Sequence, residues 1–174
     1  MPIKIQSDLP AREILEKENI FVMDEYRALH QDVRPIQIGI LNLMPVKEDT
    51  ELQLLRALSN TPLQIDVTFL TLTSHQSKNT SLAHLNKFYN TVPEIINSGV
   101  KLDGLIVTGA PLEQMDYDKV DFWDELEKIF DWADHHVTSV LCVCWGALAG
   151  LYHYYGVPKY PLEKKLSGIY RHRV

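Results

Sequence analysis

The chain has 174 residues, of which 45% are hydrophobic and 23% charged, and its net charge is −6. This length and composition are typical of one globular domain with a sizeable core, and they exclude a disordered chain. The acidic charge argues against a nucleic-acid surface, and no apolar run approaches the roughly 20 residues of a membrane span, so we expect neither nucleic acid nor a membrane as a partner.

The first half of the chain alternates predicted helices and strands. Residues 11–19 predict a short helix and residues 20–23 a brief strand. The nearly continuous apolar run at 36–43 predicts a strand that is covered on both faces. A helix is predicted at 48–59, where leucines recur at helical spacing and acidic residues crowd the first turn. A second long strand follows at 63–72.

The second half continues the alternation. The polar residues 74–85 predict a loop, and residues 91–98 a short helix that ends before Gly99. Strands are predicted at 103–108 and 139–143, and helices at 120–135 and 145–155. Strictly alternating strands and helices favour right-handed βαβ units. The sequence therefore predicts an α/β fold with a parallel sheet and helices on both faces.

Cys144 is the strongest candidate for chemistry. It stands at the carboxyl end of a predicted strand, where such sheets bind ligands, and a helix of small residues follows it. This is the layout of a nucleophile elbow, with Gly146 at a crowded position of the turn, and the N–H groups of a helix start favour a thiolate. The alternative is an ordinary buried cysteine, which is our interpretation of Cys142. The two cysteines are poor partners for a disulfide, so we expect free thiols in a reducing cytoplasm.

The loop at residues 108–111 is the second candidate. The backbone N–H of Ala110, with that of Trp145, would form an oxyanion hole, although the loop taken alone is better explained as a plain turn, for which Gly and Pro are usual. None of the seven histidines is a convincing base for the cysteine. No zinc-ligand spacing or phosphate-binding glycine motif occurs, so we expect no metal and no cofactor. We assign no role to Lys47, because a position near the pocket and a solvated surface charge explain this lysine equally well.

Four segments together resemble one enzyme family. They are residues 42–45, 58–64, 103–112 and 143–145, of which 108–112 read Thr-Gly-Ala-Pro-Leu. They closely resemble the homoserine O-acyltransferase family of methionine biosynthesis, often labelled homoserine O-succinyltransferase. The resemblance covers essentially the whole chain. It implies a flavodoxin-like three-layer sandwich of the class I glutamine amidotransferase type.

The resemblance also implies a two-step reaction. The Cys144 thiolate takes the acyl group from an acyl-coenzyme A, and the hydroxyl of L-homoserine then attacks the acyl-cysteine. Lys165 matches the family's substrate-binding lysine. Glu113 stands where a glycine goes with succinyl transfer and a glutamate with acetyl transfer, which implies acetyl-coenzyme A as the donor substrate.

Several expectations accompany this interpretation. The histidine and glutamate partners of the family's cysteine follow the elbow, and no match to them occurs after Cys144, so we expect residues 1–174 to be the N-terminal part of a single domain. We also expect a homodimer. The alternatives are succinyl transfer, glutamine hydrolysis on the same fold, or a binding or dimerisation module without catalysis.

Overall fold

A computed structural model of the chain describes residues 3–28, 33–75, 77, 79–164, 166–171 and 173. The strands of this described part are β1 (Ile3–Lys4), β2 (Val22–Met23), β3 (Ile36–Leu41), β4 (Ile65–Thr71), β5 (Tyr89–Thr91), β6 (Leu102–Val107) and β7 (Val137–Cys142). Its helices are α1 (Ala11–Lys17), α2 (Glu25–Ala28), α3 (Lys47–Leu58), α4 (Leu82–Phe88), α5 (Val92–Asn97), α6 (Trp123–His136) and α7 (Trp145–Tyr155), with a 3-10 turn at Tyr117–Lys119.

All strands pair in parallel in one sheet of order β2-β1-β4-β3-β6-β7, and β5 pairs with β4. The four long strands lie in the flavodoxin-like order β4-β3-β6-β7. The chain adds β4 on one side of β3 and then β6 and β7 on the other side, so the strand order reverses between β3 and β6. The short strands β1 and β5 pair with opposite ends of β4. The predicted flavodoxin-like α/β fold is confirmed.

Helices cover both faces of the sheet, and each face has its own apolar cluster. Leu41 and Leu105 belong to the cluster under α5, α6 and α7, whereas their neighbours Ile40 and Ile106 belong to the cluster under α1, α3 and α4. Successive residues of a strand point to opposite faces. A strand that is buried on both faces is therefore apolar at nearly every position, which explains the uninterrupted runs in the sequence.

The structure corrects one local prediction. The segment 74–85 was expected to be a loop throughout, but α4 begins at Leu82, where the Ser81 hydroxyl accepts a hydrogen bond from the N–H of His84 at 3.2 Å. The three-residue strand β5 follows α4 directly and was not predicted, because so short a strand shows no alternation. None of the helices in the described ranges is long and apolar enough to cross a membrane.

Candidate active site

Cys144 forms the sharp turn between β7 and α7. Its backbone has φ 55° and ψ −122°, a region that residues other than glycine rarely adopt and that functional sites often contain. The N–H of Val143 donates to the carbonyl of Val107 at 2.9 Å, and the N–H of Gly146 donates to the carbonyl of Val143 at 3.0 Å. These bonds fix the turn from both sides. The predicted elbow geometry is therefore present, with the Cys144 side chain exposed.

The second cysteine has a different environment. Cys142 is half-buried at the end of β7, and burial raises the pKa of its thiol. A Cβ on Gly150 of α7 would lie 3.1 Å from the Cys142 sulfur, so the helix packs directly over this thiol. Its placement agrees with the interpretation of Cys142 as a packing residue.

Two glycines allow the backbone to close tightly around the elbow. A Cβ on Gly146 would lie 2.5 Å from the carbonyl oxygen of Thr108 and 2.8 Å from that of Val107. A Cβ on Gly109 would lie 2.9 Å from the Cβ of Cys144 and 3.2 Å from its sulfur. Both positions exclude a side chain unless the backbone moves, so the loop after β6 lies directly against the thiol.

The two amides expected to form an oxyanion hole are near this thiol. The Trp145 nitrogen is 3.5 Å from the ideal Cβ position of Gly109, and Ala110 is the next residue of that loop. Neither the N–H of Trp145 nor that of Ala110 donates to a backbone carbonyl within the described ranges. Both N–H groups thus lack a backbone hydrogen-bond partner, and both lie at the carboxyl-end edge of the sheet, as Cys144 does.

A cavity of about 440 Å³ opens at the carboxyl ends of β3, β4 and β6. It occupies the place where the strand order reverses, the usual ligand site of such sheets. Ala110 lines it, and the adjacent Gly109 touches Cys144, although Cys144 itself is not part of the lining. The Thr108 hydroxyl accepts from the N–H of Leu43 at 2.7 Å and so joins the loops after β3 and β6.

Lys47 lies in the wall of this cavity, which is one of the two positions that the sequence left open for it. The residue is buried, and its ammonium donates to the carbonyl of Asn42. Burial lowers the pKa of Lys47 to about 8, against the opposing effect of the Glu51 and Glu48 charges. A lysine that follows a strand in a polar stretch has the same local pattern as a solvated one, so only the fold distinguishes the two.

A histidine also reaches the cavity. His75 and Asp121 both belong to its lining, and the Nδ1 of His75 lies 2.9 Å from a carboxylate oxygen of Asp121. The imidazole packs edge-on against Phe122, with 5.3 Å between the ring centroids. Sequence reasoning missed this pair because its members are 46 residues apart.

The two remaining predicted site residues are Glu113 and Lys165. Glu113 is exposed, and it is not part of the cavity lining, whereas Pro111 and Leu112 are. The Lys159 ammonium donates to the carbonyls of Leu112 and Met115, so the ends of this short loop are held by a residue that follows α7. Lys165 lies outside the described residues. In the part of the chain that is described, no three His, Cys, Asp or Glu side chains are grouped to hold a metal ion.

The model of one protein family, described as homoserine O-succinyltransferase, matches residues 2–174. The chain belongs to this family. It is 63% identical, over its whole length, to a protein of Lachnospira eligens named homoserine O-acetyltransferase, of which it covers 56%. It is 58% and 55% identical over its whole length to proteins of the same name from Acetivibrio thermocellus and Bacteroides thetaiotaomicron, and again covers 56% of each.

The chain thus spans about half the length of these curated relatives. The resemblance drawn from the four sequence segments is confirmed. The family's own description names succinyl transfer, whereas the relatives are named for acetyl transfer, so membership alone leaves the acyl donor open.

Proposed function

We propose that the protein is a homoserine O-acetyltransferase in which Cys144 carries the acetyl group. The observation that carries this proposal is the exposed cysteine on a backbone turn with φ 55°, beside the cavity at the carboxyl ends of the strands. A sharp turn of this kind presents a nucleophile above the sheet. The names of the relatives support acetyl transfer to homoserine as the reaction.

In the first step the Cys144 thiolate attacks the thioester carbon of acetyl-coenzyme A. A carbon–sulfur bond forms, and the oxyanion of the tetrahedral intermediate accepts hydrogen bonds from the N–H groups of Trp145 and Ala110. Removing one such donor from an enzyme typically costs about 10²–10³-fold in kcat. Collapse of the intermediate breaks the bond to the sulfur of coenzyme A, which leaves as a thiolate and takes up a proton.

In the second step the hydroxyl oxygen of L-homoserine attacks the acetyl-cysteine. The hydroxyl proton goes to a general base, the same carbonyl oxygen becomes an oxyanion again, and Cys144 leaves as a thiolate. The product is O-acetyl-homoserine, and no cofactor is required. Lys47 and Lys165 supply positive charge for the carboxylate of homoserine or the phosphates of coenzyme A.

Acetyl rather than succinyl transfer is proposed because of Glu113. A succinyl group ends in a carboxylate, which a second carboxylate near the loop after β6 repels. Succinyl transfer is the second candidate, and the description of the family favours it. Both donors are therefore compared in the tests.

Mass spectrometry of the intact full-length protein tests the proposal. After incubation with acetyl-coenzyme A the mass should rise by one acetyl group, and L-homoserine should remove it. Cys144→Ser should abolish the rise, whereas the matched variant Cys142→Ser should keep it.

The other outcomes separate the alternatives. Labelling by succinyl-coenzyme A in preference to acetyl-coenzyme A indicates succinyl transfer, and ammonia release from glutamine indicates an amidotransferase. An unlabelled protein indicates a binding module, and labelling that persists in Cys144→Ser overturns the role of this cysteine.

We also propose that the protein is a cytoplasmic homodimer. Cys142 and Cys144 are both free thiols, which supports a reducing compartment. Light scattering of the purified full-length protein measures the oligomeric state, and fractionation of the source cells measures the location.

A further inference from the structure

A cluster of buried polar side chains lies behind the cavity, between α3, α4 and β5. At its centre is Glu51, which is only 1% exposed. The Tyr89 hydroxyl donates to the Glu51 Oε1 at 2.6 Å, and the His84 Nε2 lies 2.9 Å from the same oxygen. The Asn42 amide donates to the Tyr89 oxygen at 2.9 Å. An ionised carboxylate at this depth is costly unless charges and hydrogen bonds compensate it, so the cluster needs an explanation.

The geometry connects this carboxylate to Lys47. Residues four apart share one face of a helix, which places Glu51 one turn after Lys47 on α3. The side-chain Nζ of Lys47 lies 5.9 Å from the centre of the Tyr89 ring, and the same ammonium group donates a hydrogen bond to the carbonyl of Asn42. Tyr89 therefore lies against both members of the pair, and Asn42 contacts Lys47 and the Tyr89 hydroxyl.

The two charges depend on each other. Burial lowers the pKa of Lys47 to about 8, and the Glu51 carboxylate is the strongest of the groups that oppose this fall. Burial, followed by the Glu51 charge, raises the pKa of Tyr89, so the tyrosine remains a neutral donor. Without the Glu51 charge, the buried Lys47 would lose its proton at a lower pH.

Resting on the proposed function, we propose that Glu51 is a positioning residue: fixed by Tyr89 and His84, it keeps Lys47 a charged ammonium that binds an anionic group of a substrate in the cavity. Within the described ranges, the Asn42 carbonyl accepts a hydrogen bond from the side-chain Nζ of Lys47. An ammonium group has three N–H donors, so the other two are available to a ligand. The anionic group is the carboxylate of homoserine or a phosphate of coenzyme A, which share this chemistry.

Other titratable groups around Lys47 act more weakly or from farther away. Glu48 lies on the same helix and accepts from the Thr80 hydroxyl at 3.1 Å, and its effect on the pKa of Lys47 is smaller than that of Glu51. Across the cavity the lining contains His75, Lys119 and Asp121. None of these three is among the causes of the lowered pKa of Lys47.

Nuclear magnetic resonance tests the proposal without requiring activity. The full-length protein is labelled with ¹³C at the lysine Cε, and the titration of Lys47 is assigned by its loss in Lys47→Met. Glu51→Gln should lower the midpoint of the Lys47 titration by about 1 pH unit. Glu51→Asp keeps the negative charge, so its midpoint should remain close to that of the wild type. The matched control is Asp49→Asn, which removes an exposed carboxylate from the same helix and should leave the midpoint unchanged.

The result that overturns the proposal is equally direct. A Lys47 midpoint in Glu51→Gln equal to that of the wild type shows that Glu51 does not hold the charge. Should Glu51→Gln fail to fold, Tyr89→Phe takes its place, because it removes the hydroxyl donor that fixes Glu51. It should lower the midpoint by less than a full unit, and an unchanged midpoint in a folded Tyr89→Phe contradicts the proposal as well.

Kinetics identify the anionic group. At pH 8, a midpoint lowered from about 8 to about 7 reduces the charged fraction of Lys47 about fivefold, so Glu51→Gln should raise the KM for one substrate by about that factor. The substrate is L-homoserine if its carboxylate is bound, and acetyl-coenzyme A if a phosphate is bound. Unchanged KM values for both substrates overturn the anion-binding role even when kcat falls. If the wild type transfers no acetyl group, the proposed function fails, while the titration still decides the coupling between Glu51 and Lys47.

Discussion

Replacing Gly146 by alanine tests whether the close packing of α7 on β6 positions the nucleophile. The new Cβ would lie 2.5 Å from the carbonyl oxygen of Thr108, where ordinary contact begins at 3.4 Å, so the elbow must move away from β6 by about 1 Å. The clashing carbonyl belongs to Thr108, the residue directly after the central strand β6. Its backbone has little freedom to retreat, because the N–H of Thr108 donates to the carbonyl of Leu41 at 3.1 Å.

The size of the effect follows from this displacement. Overpacking of a close-packed site typically costs about 1–3 kcal/mol, and the better helix propensity of alanine returns up to about 1 kcal/mol. We therefore expect a folded variant that is modestly destabilised. A misplacement of about 1 Å in a catalytic group costs roughly 10²-fold in rate, so the acetylation rate should fall roughly 10²-fold although the variant remains folded.

The assay measures single-turnover acetylation of Cys144 and urea unfolding on the same full-length preparations. Gly104→Ala is the matched control, since its Cβ would meet mainly the flexible end of Ile38, at 2.8 Å. This control should retain its rate within about twofold. A Gly146→Ala variant that acetylates at the wild-type rate would refute the argument that this contact sets the position of Cys144.

Three further predictions concern the loops and the surface. Glu113→Gly should shift the kcat/KM ratio toward succinyl-coenzyme A by about tenfold, a modest change because water screens an exposed carboxylate; an unchanged ratio places donor specificity elsewhere. The buried Glu125 of α6 accepts hydrogen bonds from the backbone and hydroxyls of Thr73 and Ser74 at 2.5–3.0 Å. Burial alone would raise the pKa of Glu125, but these bonds lower it. Glu125→Gln should therefore reduce the free energy of unfolding by roughly 1.5–3 kcal/mol near pH 7. In urea unfolding at a series of pH values, this difference should fade as the pH falls below about 4.5. Residues 1–174 alone should bind the dye ANS, since β7 and α7 expose several apolar side chains, and a dye signal no higher than that of a compact control protein would contradict this.

The sequence by itself determined the long strands of the sheet and the place of the elbow in the chain. Strands buried on both faces must be apolar at almost every position, so β3 and β6 were visible as uninterrupted runs. The capping box of α5, in which Thr91 and Glu94 bond each other's backbone, is local chemistry and was visible as a helix start. The predicted helix at 145–155 matches α7 because small residues and the terminal Gly156 define both ends. These features depend on neighbouring residues along the chain.

Only the tertiary structure decided which polar side chains line the cavity and which are buried behind it. Lys47, Tyr89 and Glu51 come from a helix start, a three-residue strand and a helix interior, and nothing in their local sequence distinguishes them from solvated residues. Their burial results from β5 pairing with the end of β4, which brings Tyr89 over α3. The contact of Gly109 with Cys144 likewise joins residues 35 positions apart through the pairing of β6 with β7. Such contacts depend on strand order and register, which the packing of the whole sheet determines.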